Sequence, residues 1–500
     1  MPLATLKYFM WGYQPHFRIA AKVAADGLFN LLDRKLNPNV FLVGVLIDDR
    51  KDRHPIGLEP EDCGYEVDNF ADVLQQAQHF EAIDPLRDII CSHPKVQDSY
   101  DRRIEIRALM NALKTTIRLQ DESKGVISFC SMPVSVEGYR VSVVLQLSRA
   151  QYESYYALNR NQVDQVSVHT SLLNATINEF LDLCAEALSK PSPGEGFHDF
   201  PEDKSEIIRK AGRNLMYTPA NAGGELEGLH GLFDVCNTIS SLKYEGAEGT
   251  GRMLIARRDH PNIEITLSLL KPIRITNFTA VRKLLEISSN ENGLLSDSGY
   301  IYALGKQVDI YDHSKEDLFT IEFTKHYHWH LFHAEHELMQ VSYGQPMLPQ
   351  MKLDKEKFRC DLPRIFRDIK EKNIEKLWKL VLAASTQKHG TMLVISSQAE
   401  AEAERLQNQS TRIEPIQLEP ENVRSLTAID GALLLKPDGT CYAIGVILDG
   451  LASRKGNPAR GARYNSAIRY IDDKKECLAV IVSEDGSINL LPDLLRSQGI

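Results

Sequence analysis

Between residues 16 and 33, Phe17, Ile19, Ala20, Val23, Ala24, Leu28, Leu31 and Leu32 recur at roughly helical spacing, and a β-rich run follows from Val40 to Ile47. This order predicts a helix feeding a buried strand. The polar-apolar stretch 84–119 reads mainly as helix. Residues 126–130 and 139–147, separated by Glu137-Gly138, read as paired strands. A strongly periodic helix is expected over 170–190, then helices near 204–216 and 225–240. Strands at 252–257 and 263–269, a helix at 278–288 and further strands near 299–304 and 317–332 follow. From 358 onward the alternation sharpens. A helix at about 362–386 leads to a strand at 391–395, a Glu/Ala helix at 398–407 and a strand at 412–417. A short helix, a strand at 431–435 and a turn at Pro437-Asp438-Gly439 predict a hairpin into 441–448. A helix opens at 463–470 and a last strand runs over 478–482.

These patterns predict a multidomain chain of the α/β and α+β classes, whose carboxyl-terminal third is a mixed β-sheet flanked by helices. The breaker run Pro191-Ser192-Pro193-Gly194-Glu195-Gly196 marks a linker, and a second boundary falls in 345–354. The expected domains are 1–190 (α/β, role unassigned), a linker at 191–203, an α+β sensor or regulatory region at 204–350, and 358–500.

Composition narrows the class. With 500 residues, 43% of them hydrophobic, the chain has apolar material for more than one core. The net charge of −10 argues against broad nucleic-acid binding, which favours basic surfaces. No apolar run approaches the ~20 residues that span a bilayer, and residues 1–13 lack the layout of a signal peptide. Cysteines 63, 91, 130, 184, 236, 360, 441 and 477 are scattered without a C-x-x-C pair, which fits reduced thiols in a cytoplasm.

Three short segments near the carboxyl end carry candidate chemistry. Asp430-Gly431-Ala432 begins a strand; an aspartate there offers a hard oxygen to a divalent metal, and the glycine lets a ligand approach the backbone. Alone, the tripeptide reads as a turn. Gly461-Ala462-Arg463-Tyr464-Asn465-Ser466-Ala467 follows a loop with Arg454, Lys455 and Arg460 and opens a helix. A helix amino terminus suits phosphate oxygens, Arg463 adds a forked donor and Ser466 a hydroxyl; the bland alternative is a solvated loop capped by Ser466. Val482-Ser483-Glu484-Asp485-Gly486 leaves a buried strand with two carboxylates, as an ordinary acidic turn also does.

The order of these segments, after Ala383-Ala384-Ser385 and Lys388-His389-Gly390-Thr391-Met392-Leu393-Val394-Ile395, resembles the diadenylate cyclase domain family, which includes the nucleotide-binding domain of DNA-integrity-scanning proteins. The likeness covers about 360–495. It implies that the chain condenses two ATP into cyclic di-AMP and two pyrophosphates, as a homodimer or higher oligomer with catalytic domains face to face. It implies Mg²⁺ or Mn²⁺ on Asp430 and on a carboxylate of Glu484 or Asp485. By the same likeness Gly431 and Ala432 lie along ribose and phosphates, Arg463, Tyr464, Asn465, Ser466 and Ser483 border the nucleotide, and Gly390, Thr391 and Met392 flank the adenosine. The amino-terminal regions would then regulate the pairing of catalytic domains.

One motif departs. Where the family carries Arg-His-Arg, this chain reads Arg463-Tyr464-Asn465. Asparagine supplies neither the fixed charge nor the planar fork of arginine. The alternative expectation is therefore a degenerate domain that binds ATP or a cyclic dinucleotide as a sensor. Two further features invite chemistry. The run 325–337 holds His326, His328, His330, His333 and His336; on a strand, the first three share a face, as metal ligands or as packing. The run Gly246-Ala247-Glu248-Gly249-Thr250-Gly251 lacks the Lys-Ser/Thr of a phosphate loop and reads as a turn.

Overall fold

A computed structural model describes residues 9–48, 53–90, 92–160, 162–163, 166–196, 200–224, 231–289, 291–349, 355–385, 390–450, 462–472, 474–482 and 488–492. The chain divides into two compact units, Met1–Pro349 and Gln350–Ile500. Both mix helices with sheets, as the hydrophobic pattern predicts.

The first unit opens with helix α1 (Gln14–Leu32), which buries Phe17, Ala21, Ala24, Ala25 and Leu28 at helical spacing. Strand β1 (Asn39–Leu46) is buried on both faces because its sheet is covered on both sides. That antiparallel sheet joins β1 to β2 (Ile56–Glu59) on one side. After helices α2 (Val73–Ala82) and α3 (Pro94–Lys124), strands β3 (Val126–Cys130), β4 (Val134–Val136) and β5 (Tyr139–Ser148) complete it in the order β2-β1-β5-β3, with β4 also on β5. The helix expected over 84–119 starts later, at Pro94. Proline takes the first turn, where its missing N–H costs nothing, and His93 before it is extended. Asp84 lies outside the helix and accepts from Arg107 Nε at 2.7 Å. Helices α2 and α3 cover one sheet face over Phe41, Val43 and Val45. Beyond the short α4 (Arg149–Tyr152) and the ribbon β6 (Gln162–Val163) and β7 (Val166–Ser167), α5 (Leu172–Leu188) joins α1 on the other face.

Helices α6 (Lys204–Leu215), α7 (Tyr217–Gly223) and α8 (Leu232–Ser241) follow, with residues 191–203, expected as a linker, between α5 and α6, which pack on each other. Trp11 Nε1 donates to the Pro193 carbonyl at 2.9 Å. Next come β8 (Gly251–Ile255), β9 (Ile263–Arg274), α9 (Phe278–Leu285), β10 (Gly293–Ser296), β11 (Tyr300–Gln307), β12 (Phe319–Lys325), β13 (His328–His333), β14 (His336–Ser342) and β15 (Gln345–Met347). Their sheet runs β15-β14-β13-β12-β8-β10-β11-β9, antiparallel except for the β8/β10 pair. The single strand expected over 317–332 is a hairpin instead. Tyr327 takes a left-handed φ of 59° and folds β13 back on β12, a turn made without glycine or proline. One apolar cluster runs from Phe17 through Leu215 and Phe233 to Met339, so both sheets share a core.

The second unit begins with α10 (Lys355–Ile365) and α11 (Glu371–Ser385), where one helix was expected. The bend between them brings Phe358, Leu362 and Phe366 into the same half-core as Ile374, Leu377 and Val381. Then come β16 (Thr391–Ser396), α12 (Ala399–Arg405), β17 (Thr411–Gln417), α13 (Pro420–Leu426), β18 (Ala432–Leu435), β19 (Thr440–Val446), α14 (Ala462–Ile471), β20 (Cys477–Val482) and β21 (Ile488–Leu491). The mixed sheet runs β17-β19-β18-β16-β20-β21; β16 and β18 are parallel and the other pairs antiparallel. Successive side chains alternate between its faces. Leu393, Ile395, Leu433 and Val480 face α10, α11 and α13, while Met392, Val394, Leu434 and Ile481 face α12 and α14. Continuous apolar runs in β16, β18 and β20 follow from burial on both faces.

Candidate functional site

The registers bring several chain segments to one end of this sheet. Met392 pairs with Ala432 at the starts of the parallel strands β16 and β18. Thr391 pairs with Val482 at the end of β20, and Ala432 with Val446 at the end of β19. Asp430 and Gly431 precede β18 at that end, and the first turn of α14 reaches it too: Arg463 Nη2 donates to Asp430 Oδ1 at 3.1 Å. Asp430 and Arg463 are far apart in sequence, so only the fold joins them.

Glycine at 431 is a steric requirement. Its φ is +110°, and a Cβ there would lie 2.5 Å from the carbonyl carbon of Gly445 and 2.9 Å from its Cα. Gly445, on β19, is the partner that the sequence reading missed; its own φ is +61°. The pair lets the β18 and β19 backbones approach where the ladder shifts register, next to Asp430. The Asp430 side chain is 88% exposed, and its second carboxylate oxygen accepts no hydrogen bond among the described residues. An exposed hard oxygen of this kind is the donor type that Mg²⁺ or Mn²⁺ takes.

The remaining expected residues divide. Thr391, Met392 and Ala432 are buried in the sheet and Gly390 is buried just before β16, with Met392 and Ala432 on the α14 face. The buried Thr391 hydroxyl has no hydrogen-bond partner among the described residues. Tyr464 packs against the α12/α14 half-core, and Asn465 is half-buried, its carbonyl accepting from Arg469 Nε at 3.2 Å. Ser466 donates to the Leu448 carbonyl at 3.2 Å, tying α14 to the chain leaving β19. Lys388, His389, Arg454, Lys455, Arg460, Gly461, Ser483, Glu484, Asp485 and Gly486 lie outside the described residues.

A charged network beside α14 was not foreseen. Glu402 on α12 accepts from Tyr470 at 2.7 Å, Lys474 at 2.7 Å and Arg405 at 2.9 Å. Arg405 also grips Asp449 with two bonds of 2.6 and 2.8 Å. Burial works against the Glu402 charge, but bonds from Arg405, Lys474 and Tyr470 outweigh it and hold the carboxyl down at about 2. The bond to Arg405 likewise lowers Asp449. No local motif announces this set; Arg405 and Asp449 meet only through the fold.

In the first unit, the histidines serve separate partners. His330 pairs with Glu337, His328 Nε2 bonds Ser342 Oγ at 2.8 Å, and buried His333 sits between the hydroxyls of Tyr156 (2.7 Å) and Tyr311 (3.3 Å). Among the described residues no three metal-ligating side chains converge. The glycine-rich run at 246–251 turns its carbonyls toward a cation. Buried Arg282 donates to Ala247 O at 3.0 Å and Glu248 O at 2.8 Å, the opposite polarity to a phosphate cradle. No helix among the described residues is long and apolar enough to cross a membrane.

Residues 381–493 match the family model DAC, described as "DisA bacterial checkpoint controller nucleotide-binding". Residues 10–216 match "Probable sensor domain DACNG" and residues 230–335 "Probable sensor domain DACNH". Among solved structures, a double-cysteine variant of DacA from Staphylococcus aureus is similar at 20% identity, over 24% of this chain and 81% of that one, with a TM-score of 0.21. No curated protein matches the chain. The second unit of this chain thus carries a DAC domain, and the first carries the regions that match the two sensor-domain models.

Proposed function

We propose that the chain is a diadenylate cyclase, a nucleotidyltransferase that joins two ATP molecules into cyclic di-AMP and releases two pyrophosphates, under control of its amino-terminal regions. The observation that carries this reading is the meeting of Asp430, Gly431 and Arg463 at one end of the sheet, inside the stretch that matches the DAC model. In each of two reactions, the 3′-hydroxyl of one nucleotide attacks the α-phosphorus of the other and pyrophosphate leaves. Such chemistry asks the protein mainly for positioning and for charge balance on phosphate oxygens. Arg463 supplies a forked cation. The exposed Asp430 carboxylate is the group that would hold Mg²⁺ or Mn²⁺, together with Glu484 or Asp485. When bound, the ion neutralises phosphate charge. The Gly431–Gly445 contact fixes the backbone beside Asp430, along which ribose and phosphates would run.

Two nucleotides must face each other, so the working form is a homodimer or larger oligomer with catalytic domains apposed, in the cytoplasm. The domains at 1–190 and 204–350 would set that pairing. Purified chain incubated with ATP and Mg²⁺ or Mn²⁺ should yield cyclic di-AMP by mass analysis, and Asp430→Asn should reduce it at least 100-fold. Product that survives Asp430→Asn refutes the site assignment.

A second reading has its own support. Tyr464 stands where the family has histidine, and its ring is packed against the core instead of being held free for a phosphate. Asn465 replaces an arginine. A domain so altered would bind ATP or a cyclic dinucleotide without turnover. ATP binding with no product under any metal favours this sensor.

A further inference from the structure

Arg463 reaches Asp430 from the first turn of α14, so the placement of that helix decides the geometry of the proposed site. At its carboxyl end, two contacts converge on one carboxylate. Tyr470, near its end, donates to Glu402 Oε2 at 2.7 Å, and Lys474, just past it, reaches the same oxygen at 2.7 Å. Lys474 also lies 4.6 Å from the Tyr470 ring centre. On the other side of the same chain segment, Asp449 follows β19 and is gripped by Arg405, itself held to Glu402. Beside Asp449, the Leu448 carbonyl receives Ser466, and Gly450 lies so close to Arg469 that a Cβ would sit 2.6 Å from its carbonyl carbon.

The chain therefore leaves β19 at Asp449 and passes on toward β20 at Lys474, with both points tied to Glu402 on α12. We infer that Glu402 is a positioning residue: through Tyr470 and Lys474 it holds the carboxyl end of α14, through the Arg405–Asp449 pair it holds the Leu448–Gly450 stretch that meets Ser466 and Arg469, and so it keeps Arg463 opposite Asp430. This rests on the reading of that end of the sheet as the nucleotide site. A bidentate Arg–carboxylate pair gives direction as well as attraction, which suits a brace. The hub of the brace is shielded, with the Glu402 side chain only 13% exposed, while Arg405 and Asp449 stand at the surface.

A role exercised through Arg463 differs measurably from general stiffening, because mutations acting along one path are not additive. The test titrates ATP, with Mg²⁺ present, onto full-length wild type, Arg463→Ala, Glu402→Ala and the double variant. Glu402→Ala should weaken ATP binding about 10-fold in the wild-type background and less than about 2-fold in the Arg463→Ala background. Arg405→Gln should show the same pattern and serves if Glu402→Ala fails to fold; Arg405→Lys should restore part of the affinity. Equal losses in both backgrounds overturn the inference, as does unchanged affinity in Glu402→Ala when Arg463→Ala has lost it. Absence of ATP binding by the wild type, or its persistence in Arg463→Ala, instead refutes the reading of the site and takes the inference with it.

Discussion

Replacing Gly431 with alanine tests whether the backbone contact beside Asp430 matters. The new Cβ meets the Gly445 carbonyl carbon at 2.5 Å, where ordinary contact begins near 3.4 Å. Its neighbours are backbone atoms, so no rotamer change relieves the overlap, and β18 and β19 must part by about 0.9 Å. An alanine at φ +110° adds backbone strain of about 1–3 kcal/mol, and the forced separation adds a comparable overpacking cost. The sum is about 3 kcal/mol, or roughly 10 °C in the melting temperature of a unit this size. Asp430 is the adjoining residue and moves with the strand, and a 1 Å displacement of that kind costs about 10- to 100-fold in function. Gly439→Ala is the matched control. Its φ is +86°, but its Cβ would meet only the flexible end of Lys376, so it carries the strain term alone, about 1 kcal/mol. Calorimetric unfolding, with ATP titration, compares the two. Equal stability and equal ATP affinity in both variants would refute the close-approach argument.

Two shielded carboxylates, one in each unit, carry further outcomes. Asp121, fully buried at the end of α3, accepts from Tyr65 Oη, Ser128 N and Ser128 Oγ at 3.1, 2.8 and 2.7 Å. Asp121→Ala strands these donors and should cost the first unit about 3 kcal/mol or more in urea unfolding; a loss under about 1 kcal/mol would mean that water satisfies them. Glu402 is held at about 2 against an ordinary 4.5, so its contribution is complete above pH 4.5 and fades as pH falls toward 2. Acid unfolding of the second unit should therefore be shallower over that window in Glu402→Gln than in wild type, and parallel curves would contradict it.

Much of the second unit was legible because its physics is local. Strands buried on both faces read as unbroken apolar runs, and 391–395 and 478–482 differ from β16 and β20 by one residue at an end. Asp430 and Arg463 were legible as residue types, but their 3.1 Å contact depends on sheet order, which no window of sequence contains. Gly445 was passed over because a glycine within an otherwise ordinary strand signals nothing until its neighbour strand is known. The hairpin at Tyr327 was missed for the reverse reason. A tyrosine with φ of 59° is imposed by the flanking strands, not by its own preference. The Glu402 brace fell between these cases, since its helix was expected and its partners, on α14 and beyond β19, were not.

The strand order of the DAC-bearing unit also sets a schedule for its making. The end proposed as the nucleotide site needs β16 beside both β18 and β20, and the Thr391–Val482 pairing joins positions at opposite ends of the sheet-forming sequence. Pairings so distant in the chain close only after the entropy of a long loop has been overcome. During synthesis, a ribosome-bound chain that has exposed Asp430 and even Arg463 still lacks the strand that completes their setting. Nucleotide capture at the proposed site should accordingly begin abruptly, once residues through 485 are free to fold, instead of growing with chain length.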